Sequence, residues 1–128
     1  MPKSKKQLVQ QYVEAVGRGD IDTVLSLVTD DYTHEFLGST FLAGTRQLGE
    51  VLERISAFNA ALLSGAKFTF HDLVEEGDLV LGIFSGESEL KGGGRFDGVY
   101  AISCRFRGDR LHATKELVDT KLADSLQG

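Results

Sequence analysis

The chain holds a single cysteine, Cys104, so an internal disulfide is excluded. A reducing compartment, the cytoplasm, is the expected location. No stretch approaches the roughly 18 consecutive apolar residues of a membrane span. No apolar run of signal-peptide length follows the N-terminal lysines. Positive charge is also scarce: 14 Lys and Arg against 19 Asp and Glu leave a net charge of -5. A mildly acidic surface repels nucleic acid and anionic membranes, so neither is an expected partner. The cluster Lys3, Lys5 and Lys6 is the local exception, and without aromatic or Arg companions it reads as a solvated tail. The three histidines, His34, His71 and His112, show no close metal-ligand spacing, so no metal is expected. Gly92-Gly93-Gly94 is followed by neither Lys-Ser/Thr nor a helix. It reads as a hairpin tip, not a phosphate loop, and no cofactor is expected.

What is present is an ordinary globular balance, 41% hydrophobic and 26% charged, over 128 residues. That length suits one domain spanning residues 1–128. Leu8, Val9, Tyr12, Val13 and Val16 form one stripe of a helix over Ser4 to Gly17, with Ser4 and Gln7 as a capping box and Gly17 and Gly19 ending it. Asp20 opens a second helix, faced by Ile21, Val24, Leu25, Leu27 and Val28 and stopped by Asp30-Asp31. Tyr32 to Leu37 has strand character, and Gly38 to Gly44 is a loop. Thr45 to Leu63, capped by Thr45, is the longest expected helix. After Gly65 the period becomes 2. Strands are expected over Lys67 to Val74, Leu79 to Leu90, Phe96 to Phe106 and Arg110 to Asp119, joined by hairpins. The tail beyond Thr120 reads as frayed.

Helices and strands are therefore segregated, which makes the class α+β. A strongly twisted antiparallel sheet must cover one face with the three helices. If it curls, the long helix cannot fill the concavity, and a cone with an apolar pocket results.

Several short stretches resemble the SnoaL-like and ketosteroid-isomerase-like members of the nuclear-transport-factor-two-like superfamily. Val9 to Val16 followed by Gly19-Asp20-Ile21-Asp22 is similar to the family's opening helix and junction. Asp30-Asp31-Tyr32 matches the end of its second helix. Leu42-Ala43-Gly44 resembles the approach to its long helix. Phe106-Arg107-Gly108-Asp109-Arg110-Leu111 resembles a family hairpin, and Lys115-Glu116-Leu117-Val118-Asp119-Thr120 its closing strand. The resemblance implies a curved sheet around a small-molecule pocket, and frequently a homodimer through the outer sheet face. There Ser85, Glu87, Glu89, Arg105, Arg107 and Lys115 are expected to form a polar interface. It does not fix the chemistry, because one fold hosts isomerases, cyclases, dehydratases, hydrolases and binding domains.

The resemblance places Tyr12 where a first-helix tyrosine donates to a developing oxyanion. The alternative is a stripe residue whose hydroxyl finds solvent or backbone. Phe36 and Ile102 occupy the positions of the family's acidic base and second acidic donor, which argues against steroid isomerisation. His34 shares a face with Phe36 and can serve as a general base near neutral pH, or simply bond a neighbour. Tyr100, Ile102 and Cys104 share one strand face; Tyr100 can replace the missing acid, and Cys104 reads as a small hydrophobe. On the last strand His112, Thr114, Glu116 and Val118 share the pocket face. Glu116 there is either an acid paired with His34 or a structural hydrogen-bonding partner. Two functions remain open: a cofactor-free acid–base enzyme acting on a small apolar carbonyl or cyclic molecule, and a non-catalytic ligand-binding or dimerising domain.

Overall fold

The computed structural model describes residues 3–126. Helix α1 (Lys5–Arg18) is opened by the expected box: Ser4 Oγ accepts from the Gln7 amide at 3.2 Å and Gln7 Oε1 from the Ser4 amide at 2.8 Å. It ends at Gly19, whose φ of 67° places it in the left-handed region open to glycine. Helix α2 (Ile21–Leu27) is capped by Asp20, which accepts from both the amide and the hydroxyl of Thr23. It stops three residues before Asp30, not at the expected Asp30-Asp31. Val28 and Thr29, both β-branched, already belong to strand β1 (Val28–Phe36).

The expected helix Thr45 to Leu63 divides in two. Its first residues form a short edge strand, β2 (Gly44–Gln47), antiparallel to β1, with Thr33 opposite Gln47 and Phe36 opposite Gly44. Helix α3 (Leu48–Ala60) follows, so Thr45 is not a cap, and Gln47 in that position makes no side-chain cap bond. The open edge of β1 needs partners for its backbone groups, and this overrides the local helical pattern.

Strands β3 (Lys67–Glu76), β4 (Leu79–Glu87), β5 (Val99–Arg107) and β6 (Arg110–Val118) make an antiparallel meander. The β4–β5 connection is longer than expected. Beyond Glu87 the strands part, and Ser88 holds the bend by donating its hydroxyl to the Phe96 carbonyl at 2.7 Å while its own carbonyl accepts from the Phe96 amide at 2.9 Å. The sheet has six strands in the order β2-β1-β6-β5-β4-β3, and β1 runs parallel to β6. The tail corrects a further expectation: Asp119 accepts from the amides of Lys121 and Leu122 and starts a short helix, α4 (Thr120–Ser125), with Ala123 fully buried. Gln127 and Gly128 lie outside the described residues.

The core fills the concave side. Phe84 and Tyr100 stack 4.7 Å apart, with Phe68 and Phe70 against them. On the outer face Ser85, Glu87, Arg105, Arg107 and Lys115 lie as parity requires, but the middle is apolar, not polar. Two rows cross four strands there: Lys115, Ser103, Leu81, Val74, and Leu117, Ala101, Ile83, Asp72. Val74, Leu81, Ile83 and Leu117 are exposed. Arg105 and Arg107 are engaged elsewhere, with Asp78 and Asp31.

Helix α1 meets the chain after α3 at a point with no room for a side chain. The Ala66 amide bonds the Gly17 carbonyl at 2.9 Å, and Asn59 Nδ2 donates to Val16 and Ile55 carbonyls. A Cβ on Gly17 would stand 2.4 Å from the Ala66 oxygen, whereas one on Gly49 in α3 would meet nothing within 4 Å. Chemical denaturation should therefore show Gly17→Ala destabilised by about 1–3 kcal/mol. Gly49→Ala should be stabilised by about 0.5–1 kcal/mol. Equal effects of the two would contradict this packing.

Candidate functional site

The parallel pairing of β1 with β6 sets the site. His34 lies opposite Thr114, and Phe36 opposite Glu116. Thr114 lies opposite Cys104, and Glu116 opposite Ile102. One row of the inner face therefore reads Arg46, His34, Thr114, Cys104, and the next reads Phe36, Glu116, Ile102. Between these rows His34 Nε2 and Glu116 Oε1 come within 2.7 Å. Their side chains keep 10% and 13% of their exposure, so the pair is nearly enclosed yet reachable. The Phe36 ring stands edge-on to the imidazole at 4.8 Å.

A second polar pair lies deeper. The Tyr32 hydroxyl donates to the Tyr12 oxygen at 2.9 Å, and both rings are buried. Tyr32 was not among the expected site residues, although it shares the parity of His34 and Phe36 on β1; alternation alone would have found it. Burial raises the pKa of both phenols, more than the hydrogen bond from Tyr32 lowers that of Tyr12. Tyr100 is raised by burial and by the Glu116 charge. The Cys104 thiol, which accepts from Thr114 Oγ1 at 3.7 Å, is pushed up to about 12 chiefly by burial. All four groups therefore stay protonated at neutral pH and act only as neutral donors or acceptors.

Tyr12, His34, Phe36, Tyr100, Ile102, Cys104, Thr114, Glu116 and Val118 thus share the inner side. His112 does not. A register shift between Arg105 and Phe106 makes Leu111 and Thr114 both inward, three residues apart. His112 turns instead to Thr29, Asp31 and Arg107. Arg107 can only donate, so His112 Nε2 accepts and its ring proton sits on Nδ1.

Beside His34, Arg46 anchors the loop from Gly38 to Ala43. Its Nη1 donates to the carbonyls of Leu42 at 2.7 Å and Gly44 at 3.3 Å. Burial and the nearby Arg54 charge hold the Arg46 pKa below the usual guanidinium value, with Glu50 offsetting part of this.

One shallow surface depression lies beside the first turn of α1, between Ser4, Gln7, Gln10 and Leu73. Another is a shallow apolar groove on the outer sheet face, including Leu37, Val74, Leu81, Ile83 and Leu117. Neither is lined by His34 or Glu116, because aromatic side chains fill the concave side. Among the described residues every buried side-chain nitrogen and oxygen has a hydrogen-bond partner. No group of three or more His, Cys, Asp or Glu that could hold a metal ion occurs among them. Nor is any helix among them long and apolar enough to cross a membrane.

Residues 9–113 match the SnoaL-like domain. The chain belongs to the SnoaL-like family. Solved structures agree on the fold of this SnoaL-like domain. IdmH of Streptomyces antibioticus, titled a candidate polyketide cyclase, is 20% identical with a TM-score of 0.78, over 96% of this chain and 99% of that one. PrhC of Penicillium brasilianum is 15% identical with a TM-score of 0.84, over 96% and 87%. An NTF2-like protein of Burkholderia xenovorans is 21% identical with a TM-score of 0.70, over 95% and 93%. No curated protein matches the sequence. Glu116 lies just beyond the matched segment of the SnoaL-like domain.

The buried thiol gives this SnoaL-like domain a pH signature. A folded-state pKa raised to about 12 contributes stability that is fully present below the free-thiol value of about 8.5. That contribution is lost as pH climbs toward the folded value. At pH 8 a thiol reagent should label native protein about a hundredfold more slowly than urea-unfolded protein; equal rates would contradict the burial of Cys104.

Proposed function

We propose that this SnoaL-like protein binds a small, largely apolar cyclic or carbonyl compound and performs cofactor-free acid–base chemistry on it. The His34–Glu116 contact carries this reading. A carboxylate 2.7 Å from an imidazole on an apolar sheet face fixes the ring's orientation. His34 acts as the base that takes a proton from carbon or water. Glu116 orients it and shares the charge that results. Tyr32 holds the Tyr12 oxygen from one side, leaving the Tyr12 proton available to a developing oxyanion. Tyr100 is a second neutral donor on the same face. Phe36, Ile102, Cys104, Thr114 and Val118 supply the surrounding wall. The candidate polyketide cyclases among the structural neighbours, from Streptomyces antibioticus and Acidithiobacillus ferrooxidans, support a proton-transfer reaction of cyclase type.

Because aromatic rings occupy the concave side, binding requires Phe36 and the Gly38–Ala43 loop to give way. Ligands found by thermal shift across cyclic ketones and phenols should raise Tm. On a substrate so identified, His34→Ala and Glu116→Gln should each lower kcat by about 10²–10⁴-fold. Wild-type turnover in both variants would refute the acid–base role. Stabilisation without any turnover in the wild type would assign a binding module instead.

The outer apolar face supports a homodimer as part of the same reading. Lys115 and Asp72 sit at diagonally opposite corners of the two apolar rows. A twofold axis through the patch can set each Lys115 against the partner's Asp72 while Leu81 and Ile83 pack at the centre. Sedimentation of the wild type should give a dimer at micromolar concentration, and Leu81→Glu a monomer with unchanged secondary structure. A monomeric wild type would remove the dimer from this reading.

A further inference from the structure

We propose that Arg46 anchors a carboxylate on the ligand of the His34–Glu116 site, so that the compound is an aromatic or alicyclic acid with its charged group at the rim. This rests on the reading that the concave side binds a small molecule. The placement follows from register. Arg46 stands directly opposite His34 on neighbouring antiparallel strands, so both side chains project from the same face. His34 is buried there, and Arg46, on the edge strand, is half-buried beside it.

The hydrogen bonds of Arg46 divide its guanidinium into a used and an unused edge. Nη1 is taken by the Leu42 and Gly44 carbonyls. Among the described residues Nε and Nη2 donate to nothing, and no carboxylate lies within ion-pair distance of Arg46. Arg18, Arg95, Arg105 and Arg107 each pair with Asp or Glu, whereas Arg46 keeps this edge free beside the inner face. The Nε/Nη2 edge is the one that grips a carboxylate side-on through two parallel hydrogen bonds. Arg54 of α3 adds a second positive charge close enough to depress the Arg46 pKa, and only Glu50 offsets it.

Two guanidiniums near each other, with Glu50 as the acid that partly offsets them, make a locally basic spot on a chain of net charge -5. Such a spot draws in an anion that the rest of the surface repels. Its other neighbours are apolar, namely Phe36 and Leu42, which pack against the core. The matching ligand therefore has an apolar body and one planar anionic end. Held by Arg46, its carboxylate stays at the rim while the ring system reaches His34 and Glu116.

The test compares 2-naphthoate with its neutral analogue 2-naphthamide by titration calorimetry at pH 7. The wild type should prefer the carboxylate by about tenfold or more. Arg46→Gln should bring the ratio of naphthoate to naphthamide affinity to about one, a ratio that loosening of the Gly38–Ala43 loop, acting on both compounds alike, does not move; Arg46→Lys should keep only part of the preference, since the ammonium lacks the fork. Should Arg46→Gln fail to fold, Arg54→Gln at its exposed position should still weaken naphthoate about threefold. Raising the salt concentration should weaken naphthoate and not naphthamide. Equal affinity of the wild type for both compounds overturns the anchor while leaving the small-molecule reading intact. Absence of binding by both, up to about 1 mM, overturns that reading and the anchor with it.

Discussion

The hydrogen bond between His34 and Glu116 depends on one registration, that of β1 against β6. Shifting the parallel pair by a single residue would turn His34 to the outer face and present Glu35 in its place. A carboxylate so nearly enclosed requires a partner, because an unpaired buried charge is strongly destabilising. The pair in turn accounts for much of its surroundings. Burial is the main cause that keeps Tyr12, Tyr100 and Cys104 protonated, and the Glu116 charge adds to it. The inner face thus gathers its ionisable side chains in one corner, the His34–Glu116 pair beside Arg46.

The same registration explains the role of the edge. β2 has only four residues, but they bring Arg46 level with His34 and, through its bonds to Leu42 and Gly44, fasten the loop that covers this end of the sheet. Basic groups at the rim, a paired acid inside and neutral donors deeper down give the concave side a polarity that runs along its depth. Packed aromatics close it in the resting state.

Much of this was legible in the residues themselves. The α+β class, the meander and the inward parity of Tyr100, Ile102 and Cys104 follow from hydrophobic period and turn chemistry, both local. Tyr12, His34 and Glu116 could be named because alternation and a family resemblance agreed. What escaped notice was non-local. β2 exists because β1 has an open edge, and α4 because Asp119 finds two free amides beside a patch that buries Ala123. The error at His112 came from a register shift: alternation carried across a bulge assigns the wrong face to the residues beyond it. The apolar outer rows are masked in the sequence because Leu81, Ile83 and Leu117 alternate with inward residues on strands whose outer faces also carry Glu87, Arg105 and Lys115. The filled interior was also out of reach, since periodicity reports which way a side chain points and not how much volume is left when all have pointed there.

The bulge in β3 has a bearing beyond the site. Six-stranded sheets expose two borders, and either can recruit a strand from another molecule. One border here is the four-residue β2, too short to template a partner. The other, β3, is longer, but it breaks register between Phe70 and Asp72, where His71 turns aside to Ser85, and it carries Lys67, Glu75 and Glu76 toward its ends. Sideways polymerisation into fibrils is therefore discouraged at both margins, and self-association is steered from backbone edges to side-chain faces, where it can close on itself and stop.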